Sequence, residues 1–122
     1  MAENWKLIAN DKKFDYYLDA TGKTHTDGPR SVTVKAVCSN KELFMDEVWA
    51  SGKPLDDYEK YSHSIIAAKI DCSKKKYLVE VITEYDTKGN VIDHVAGAMT
   101  NWLDASEGTF GKILYDADCH KE

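Results

Sequence analysis

Asp71-Cys72-Ser73-Lys74-Lys75-Lys76-Tyr77-Leu78-Val79-Glu80-Val81 decides how the chain reads: a cysteine, a basic turn and an alternating strand. Upstream of it, Ser64, Ile66, Ala68, Ile70 and Cys72 share one parity and His63, Ile65, Ala67, Lys69 and Asp71 the other. Period two of this kind marks a strand over residues 62–72, with Cys72 on the more apolar face. Downstream, Tyr77, Val79, Val81, Thr83 and Tyr85 alternate with Leu78, Glu80, Ile82 and Glu84, a second strand folded back by the turn at 73–75. Asp86-Thr87-Lys88-Gly89-Asn90 is hairpin chemistry, because Gly89 takes the left-handed conformation that a longer hairpin loop needs, and residues 91–94 are predicted to return antiparallel.

Working outward to the C-terminus, Ser106 is predicted to cap a helix whose Phe110, Ile113, Leu114 and Ala117 fall at i, i+3, i+4 and i+7, the spacing of one buried face. Gly108 and Gly111 weaken that helix. Asp116 and Asp118 oppose the negative end of its dipole, at a cost of a few tenths of a kcal/mol. The helix therefore needs an anchor, and a bond from Cys119 to Cys72 would supply one. Closing a loop of about 48 residues is worth about 4 kcal/mol in the chain-entropy model. Two unpaired thiols are the alternative, and the missing C-x-x-C spacing argues against a redox pair.

Toward the N-terminus, Trp5 to Ala9 is short and apolar, and Phe14, Tyr16, Leu18 and Ala20 alternate with Asp15, Tyr17 and Asp19. Thr21-Gly22-Lys23 and Thr26-Asp27-Gly28-Pro29 carry turn chemistry, after which Val32, Val34, Ala36 and Cys38 resume the alternation. Residues 41–50 fit a helix and a strand almost equally. Ser51-Gly52-Lys53-Pro54 breaks the chain, and residues 55–61 have room for one helical turn. The fold class expected is α+β: an antiparallel meander of about six strands with a C-terminal helix laid on the sheet, all in one domain over residues 1–122.

Composition narrows the function classes. The chain has 122 residues, 43% hydrophobic and 30% charged, the profile of a globular domain. Its net charge of −5, from 21 acidic against 16 basic residues, disfavours nucleic acid. The longest charge-free apolar runs fall far short of the roughly 20 residues that cross a bilayer. No basic and hydrophobic leader opens the chain, which fits either a cytosolic protein or one whose signal has been removed.

Trp5-Lys6-Leu7-Ile8, Tyr16-Tyr17-Leu18-Asp19, Tyr61-Ser62-His63-Ser64, the stretch from Asp71 to Tyr77, and Trp102 followed by Ser106 and Cys119 together resemble the surface-adhesin protein E family over nearly the whole chain. The resemblance implies a small protein of the Gram-negative envelope, exported to the periplasm or outer-membrane surface. It implies a sheet whose concave face holds the C-terminal helix by a disulfide, with Cys72 and Cys119 in the disulfide positions. It also implies adhesin-like binding of host matrix proteins and a capacity to dimerise; the partner expected is a protein or polysaccharide at the cell surface. Cys38 has no matching family position, residues 38–61 follow the family loosely, and Ala105 stands where a proline usually precedes the capping serine.

Catalytic chemistry finds little to use. His25, His63, His94 and His120 lack H-x-x-x-H or H-E-x-x-H spacing, and Asp56, Asp57 and Glu59 lack the EF-hand pattern and its glycine. Neither a G-x-S-x-G elbow nor a phosphate loop is present. No enzyme activity, cofactor or metal is therefore expected. Lys74, Lys75 and Lys76 are expected to project three cations from a tight turn, either as a solvated turn or as a contact for acidic polysaccharide or anionic headgroups. Trp49, Tyr58 and Tyr61 form the other candidate contact surface, with core packing as the competing reading. Cys38 is expected to be a buried small hydrophobe, with an intermolecular disulfide as the sharper alternative. The function expected is non-enzymatic binding of a macromolecule; a small-ligand carrier or hydrolase with a pocket between sheet and helix is the alternative.

Overall fold

Alternating side chains become strands along the described chain. The computed structural model describes residues 5–19 and 29–119, so the turn residues at 20–28, with His25, and His120 lie outside the described residues. The strands are β1 (Trp5–Asn10), β2 (Phe14–Asp19), β3 (Arg30–Cys38), β4 (Tyr61–Asp71), β5 (Lys76–Asp86), β6 (Val91–Ala96) and the two-residue β7 (Leu103–Asp104). They form one seven-stranded antiparallel sheet in meander order from β1 to β6, with β7 beside β6 along β5. The fold is thus α+β, as the alternation and the terminal helix predicted.

Residues 41–50, ambiguous by pattern, are helical. Helix α1 (Lys41–Ser51) starts where the Asn40 side chain accepts a hydrogen bond from the Leu43 amide at 3.2 Å and ends at Gly52, whose φ of 80° is the left-handed cap. Phe44 and Val48, one turn apart, are its buried residues. The single turn α2 (Leu55–Tyr58) follows.

The C-terminal helix begins later than Ser106. In α3 (Phe110–Leu114) the cap is Thr109, whose hydroxyl oxygen accepts from the Lys112 amide at 3.2 Å. Gly108, at φ 84°, puts a turn just before it, and the Ser106 carbonyl accepts from the Thr109 amide at 3.1 Å and from its hydroxyl at 2.7 Å. A π-helical turn over Tyr115–Cys119 continues α3. That wider turn re-aims the buried face: Leu114 and Asp118 are fully buried, while Phe110, Ile113 and Ala117 are only half-buried.

Among the described residues the core falls into two clusters. Leu18, Val32, Val34, Ala36, Ile66, Ala68, Ile70, Tyr77 and Val79 of the sheet pack beneath Ala105 and Leu114. Phe44, Val48, Tyr58 and Tyr61 form the second cluster, joined to the first through Phe14. Gly111 is where α3 meets the sheet, since a Cβ there would overlap the Tyr77 ring. The glycine that weakens the helix in isolation is what allows it to dock.

Candidate functional site

The stretch around Cys72 holds the C-terminal segment in two ways. Cys72 and Cys119 form a disulfide with 5.4 Å between Cα atoms. Beside it, Arg30 Nε lies 2.9 Å from Asp118 Oδ2, and Asp118 is 0% exposed. The second guanidinium nitrogen donates toward Cys72 Sγ at 3.2 Å and the Asp118 carbonyl at 3.3 Å. Sequence reasoning missed this pair. Its one signal was that Arg30 is the single arginine of the chain; Asp118 entered the sequence reading only as a charge opposing the helix dipole.

The three lysines of the basic turn do not form a common cationic tip. Lys75, at φ 55°, carries its ammonium over the Tyr115 ring, 5.1 Å from the centroid. Lys76 Nζ pairs with Asp104 Oδ1 of β7 at 2.9 Å. Lys74 turns to a cavity of about 330 Å3 that it lines with Pro29, Asp71, Lys76 and Trp102. The Lys74 amide donates to Asp71 Oδ1 at 3.2 Å, which ties the turn to the floor of that cavity.

The aromatic candidates separate as well. Trp49 is 72% exposed, whereas Tyr58 and Tyr61 are 4% and 3% exposed and belong to the core. Tyr61 stacks on Phe44 with ring centroids 4.3 Å apart, and its hydroxyl sits 2.6 Å from Ser64 Oγ. Tyr58 donates to Glu84 Oε1 at 2.6 Å. Burial raises both phenols, and Glu84 adds to the rise for each. Core packing therefore accounts for Tyr58 and Tyr61, and they cannot share a contact surface with Trp49. Cys38 is half-buried against the same cluster and free, and burial pushes its thiol up, away from the reactive thiolate.

A groove of about 400 Å3 runs between the first hairpin and α3, lined by apolar Ile8, Ala9, Phe110 and Ile113. Its polar groups are committed to one another. Asp11 accepts from the Lys13 and Phe14 amides at 2.8 Å each and from the Tyr16 hydroxyl at 2.9 Å. Burial opposes ionisation of Asp11, but these bonds outweigh it and hold the carboxyl below its ordinary value. Lys112 pairs with Asp116 at 2.9 Å. The groove thus offers apolar walls without a free acid or base. Among the described residues no cluster of three or more His, Cys, Asp or Glu side chains is arranged to hold a metal.

Strand register reveals a further surface. Leu7, Tyr17, Lys35, Ile65, Thr83 and His94 are successive cross-strand neighbours, and so are Asp15, Val37, His63, Tyr85 and Val91. Directly opposed residues of an antiparallel ladder share a face. Both rows lie on the side away from Leu18, Val34, Ile66 and Tyr77, and none of their residues joins a core cluster. Among the described residues, α1, α2 and α3 all pack on the other side, through Phe44 on Phe14, Tyr58 on Glu84 and Phe110 on Tyr16. On the open face, Lys35 sits 5.9 Å from the centroid of the Trp5 ring and His63 stacks on Tyr85 at 5.1 Å. Desolvation, with help from Lys35, lowers the His63 pKa.

Fold and surface together define a disulfide-tied α+β domain in which, among the described residues, no helix packs on one face of the sheet. Neither a family model nor a curated protein nor a solved structure matches the chain.

Proposed function

We propose that this protein is a non-enzymatic binding protein of the bacterial cell envelope, adhesin-like, which holds a macromolecular partner on the open face of its sheet. The observation that carries this reading is the one-sided packing. That face sets Tyr17, Lys35 and Ile65 side by side in one row and Val37, His63 and Tyr85 in the next, so aromatic and aliphatic side chains flank a central lysine, with Asp15 on β2 at the end of the second row. The Cys72–Cys119 disulfide supports an oxidising compartment. Among the described residues, no helix is long and apolar enough to cross a membrane. A carrier or hydrolase role draws less support, because the groove beside α3 keeps its ionisable groups occupied.

Biosensor titration of the immobilised protein against host matrix proteins and fractionated envelope components tests it. Saturable binding is expected for at least one component, and Ile65→Glu on the open face is expected to weaken it about tenfold or more without lowering the melting temperature. Absence of any saturable partner, or binding indifferent to Ile65→Glu, sinks the reading.

A further inference from the structure

We propose that the cavity at the β4–β5 turn is a binding site for an acidic sugar, a single pyranose ring bearing a carboxylate. At about 330 Å3 it lies at the small end of ligand sites, which suits one ring. Its lining divides the ligand's chemistry among separate groups. Lys74 and Lys76 present ammonium groups. Among the described residues the Lys74 side chain makes no hydrogen bond or ion pair, and Lys76 spends one of its three N–H donors on Asp104 at 2.9 Å. Two ammonium groups at one cavity match a carboxylate through charge-assisted hydrogen bonds.

Asp71 narrows the class. It is 7% exposed, it lines the cavity, and one of its oxygens is held by the Lys74 amide at 3.2 Å. Its carboxylate accepts hydroxyl donors and repels a second anionic group. With Asp71 and Asp104 set against Lys74 and Lys76, the local formal charge is balanced. A phosphate or sulfate dianion therefore meets as much repulsion as attraction, while a ring with one carboxylate and several hydroxyls satisfies both signs. Trp102 supplies the remaining element. It is half-buried, and its indole N–H is without a partner among the described residues. The indole gives a flat apolar wall for the C–H face of a pyranose, and Pro29 adds a second apolar contact. The site shares no residue with the two rows of the open sheet face: its ligand is recognised by the turn, Trp102 and Pro29.

The test is titration of the full chain with galacturonic acid and with its trimer, read by the Trp102 indole N–H resonance. Saturable shifts at about millimolar concentration are expected, as suits a small and open site. Methyl esterification of the trimer, and separately Lys74→Gln, are each expected to weaken binding about tenfold. Lys74 is exposed, so Lys74→Gln keeps the fold where Trp102→Ala risks losing it. Tighter binding of the trimer than of the monomer assigns the site to a polysaccharide chain, and equal binding assigns it to a free sugar acid; either result supports the carboxylate and indole recognition. An unshifted Trp102 resonance, equal binding of the methyl ester, or displacement of the trimer by equimolar inorganic phosphate overturns it. Failure here with retained partner binding by the open face removes this site alone.

Discussion

At the scale of single residues, Arg30 and Asp118 dominate. A buried ion pair of this kind is weak evidence for net stability, because desolvating both charges offsets much of their attraction, yet removing one partner strands the other. Arg30→Met is therefore expected to cost about 3–5 kcal/mol in urea unfolding, while Arg30→Met combined with Asp118→Leu recovers most of the loss. A single-variant loss under about 1 kcal/mol would show that water reaches the pair and that its burial does not matter. Arg30 also contacts Cys72 Sγ and the Asp118 carbonyl, so this one side chain joins the start of β3 to both sides of the disulfide.

At the scale of elements, α3 is short, interrupted by a π-helical turn and poor in helix formers, so its position depends on packing. Gly111 against Tyr77 is the decisive contact. In an exposed helix Gly→Ala stabilises by up to about 1 kcal/mol. At this position the added methyl has nowhere to go, and Gly111→Ala is expected to destabilise by about 2–3 kcal/mol. Thermal melts of the two proteins decide the sign: a Gly111→Ala variant that melts higher than the parent would mean that α3 does not sit on the ring.

At the scale of the whole molecule, the disulfide spans a sequence separation of 47 and joins the sheet to the last helical turn. Its effect is on the unfolded chain more than on any local contact. Cys119→Ser is expected to lower the melting temperature by about 10 °C under oxidising conditions while the far-ultraviolet signature of the sheet persists below the transition. Identical melting of variant and parent contradicts this. The same scale carries the proposed function: the described helices all pack on one side of the meander sheet, and the binding proposed above is to the other face.

Much of this architecture was legible along the chain because period two and turn chemistry are local signals. The parity of Ile66, Ala68, Ile70 and Cys72 marked β4, Gly89 marked the β5–β6 hairpin, and of the two readings open for Cys72 and Cys119, a disulfide or two thiols, the structure shows the disulfide. The cap of α3 was misplaced from Thr109 to Ser106 because both are good capping residues, and only the turn at Gly108 separates them. What the tertiary structure alone decided is which distant groups meet. Asp118 finds Arg30 across 88 positions, Lys76 finds Asp104 across 28, and Lys75 finds the Tyr115 ring, so a run of three like charges divides, with Lys75 on the ring and Lys74 and Lys76 at one cavity. Likewise, strand alternation assigns residues to two faces but does not say which face the helices cover. That choice rests on long-range fits such as Gly111 on Tyr77 and Phe44 on Tyr61, whose geometry exists only once the chain has closed on itself.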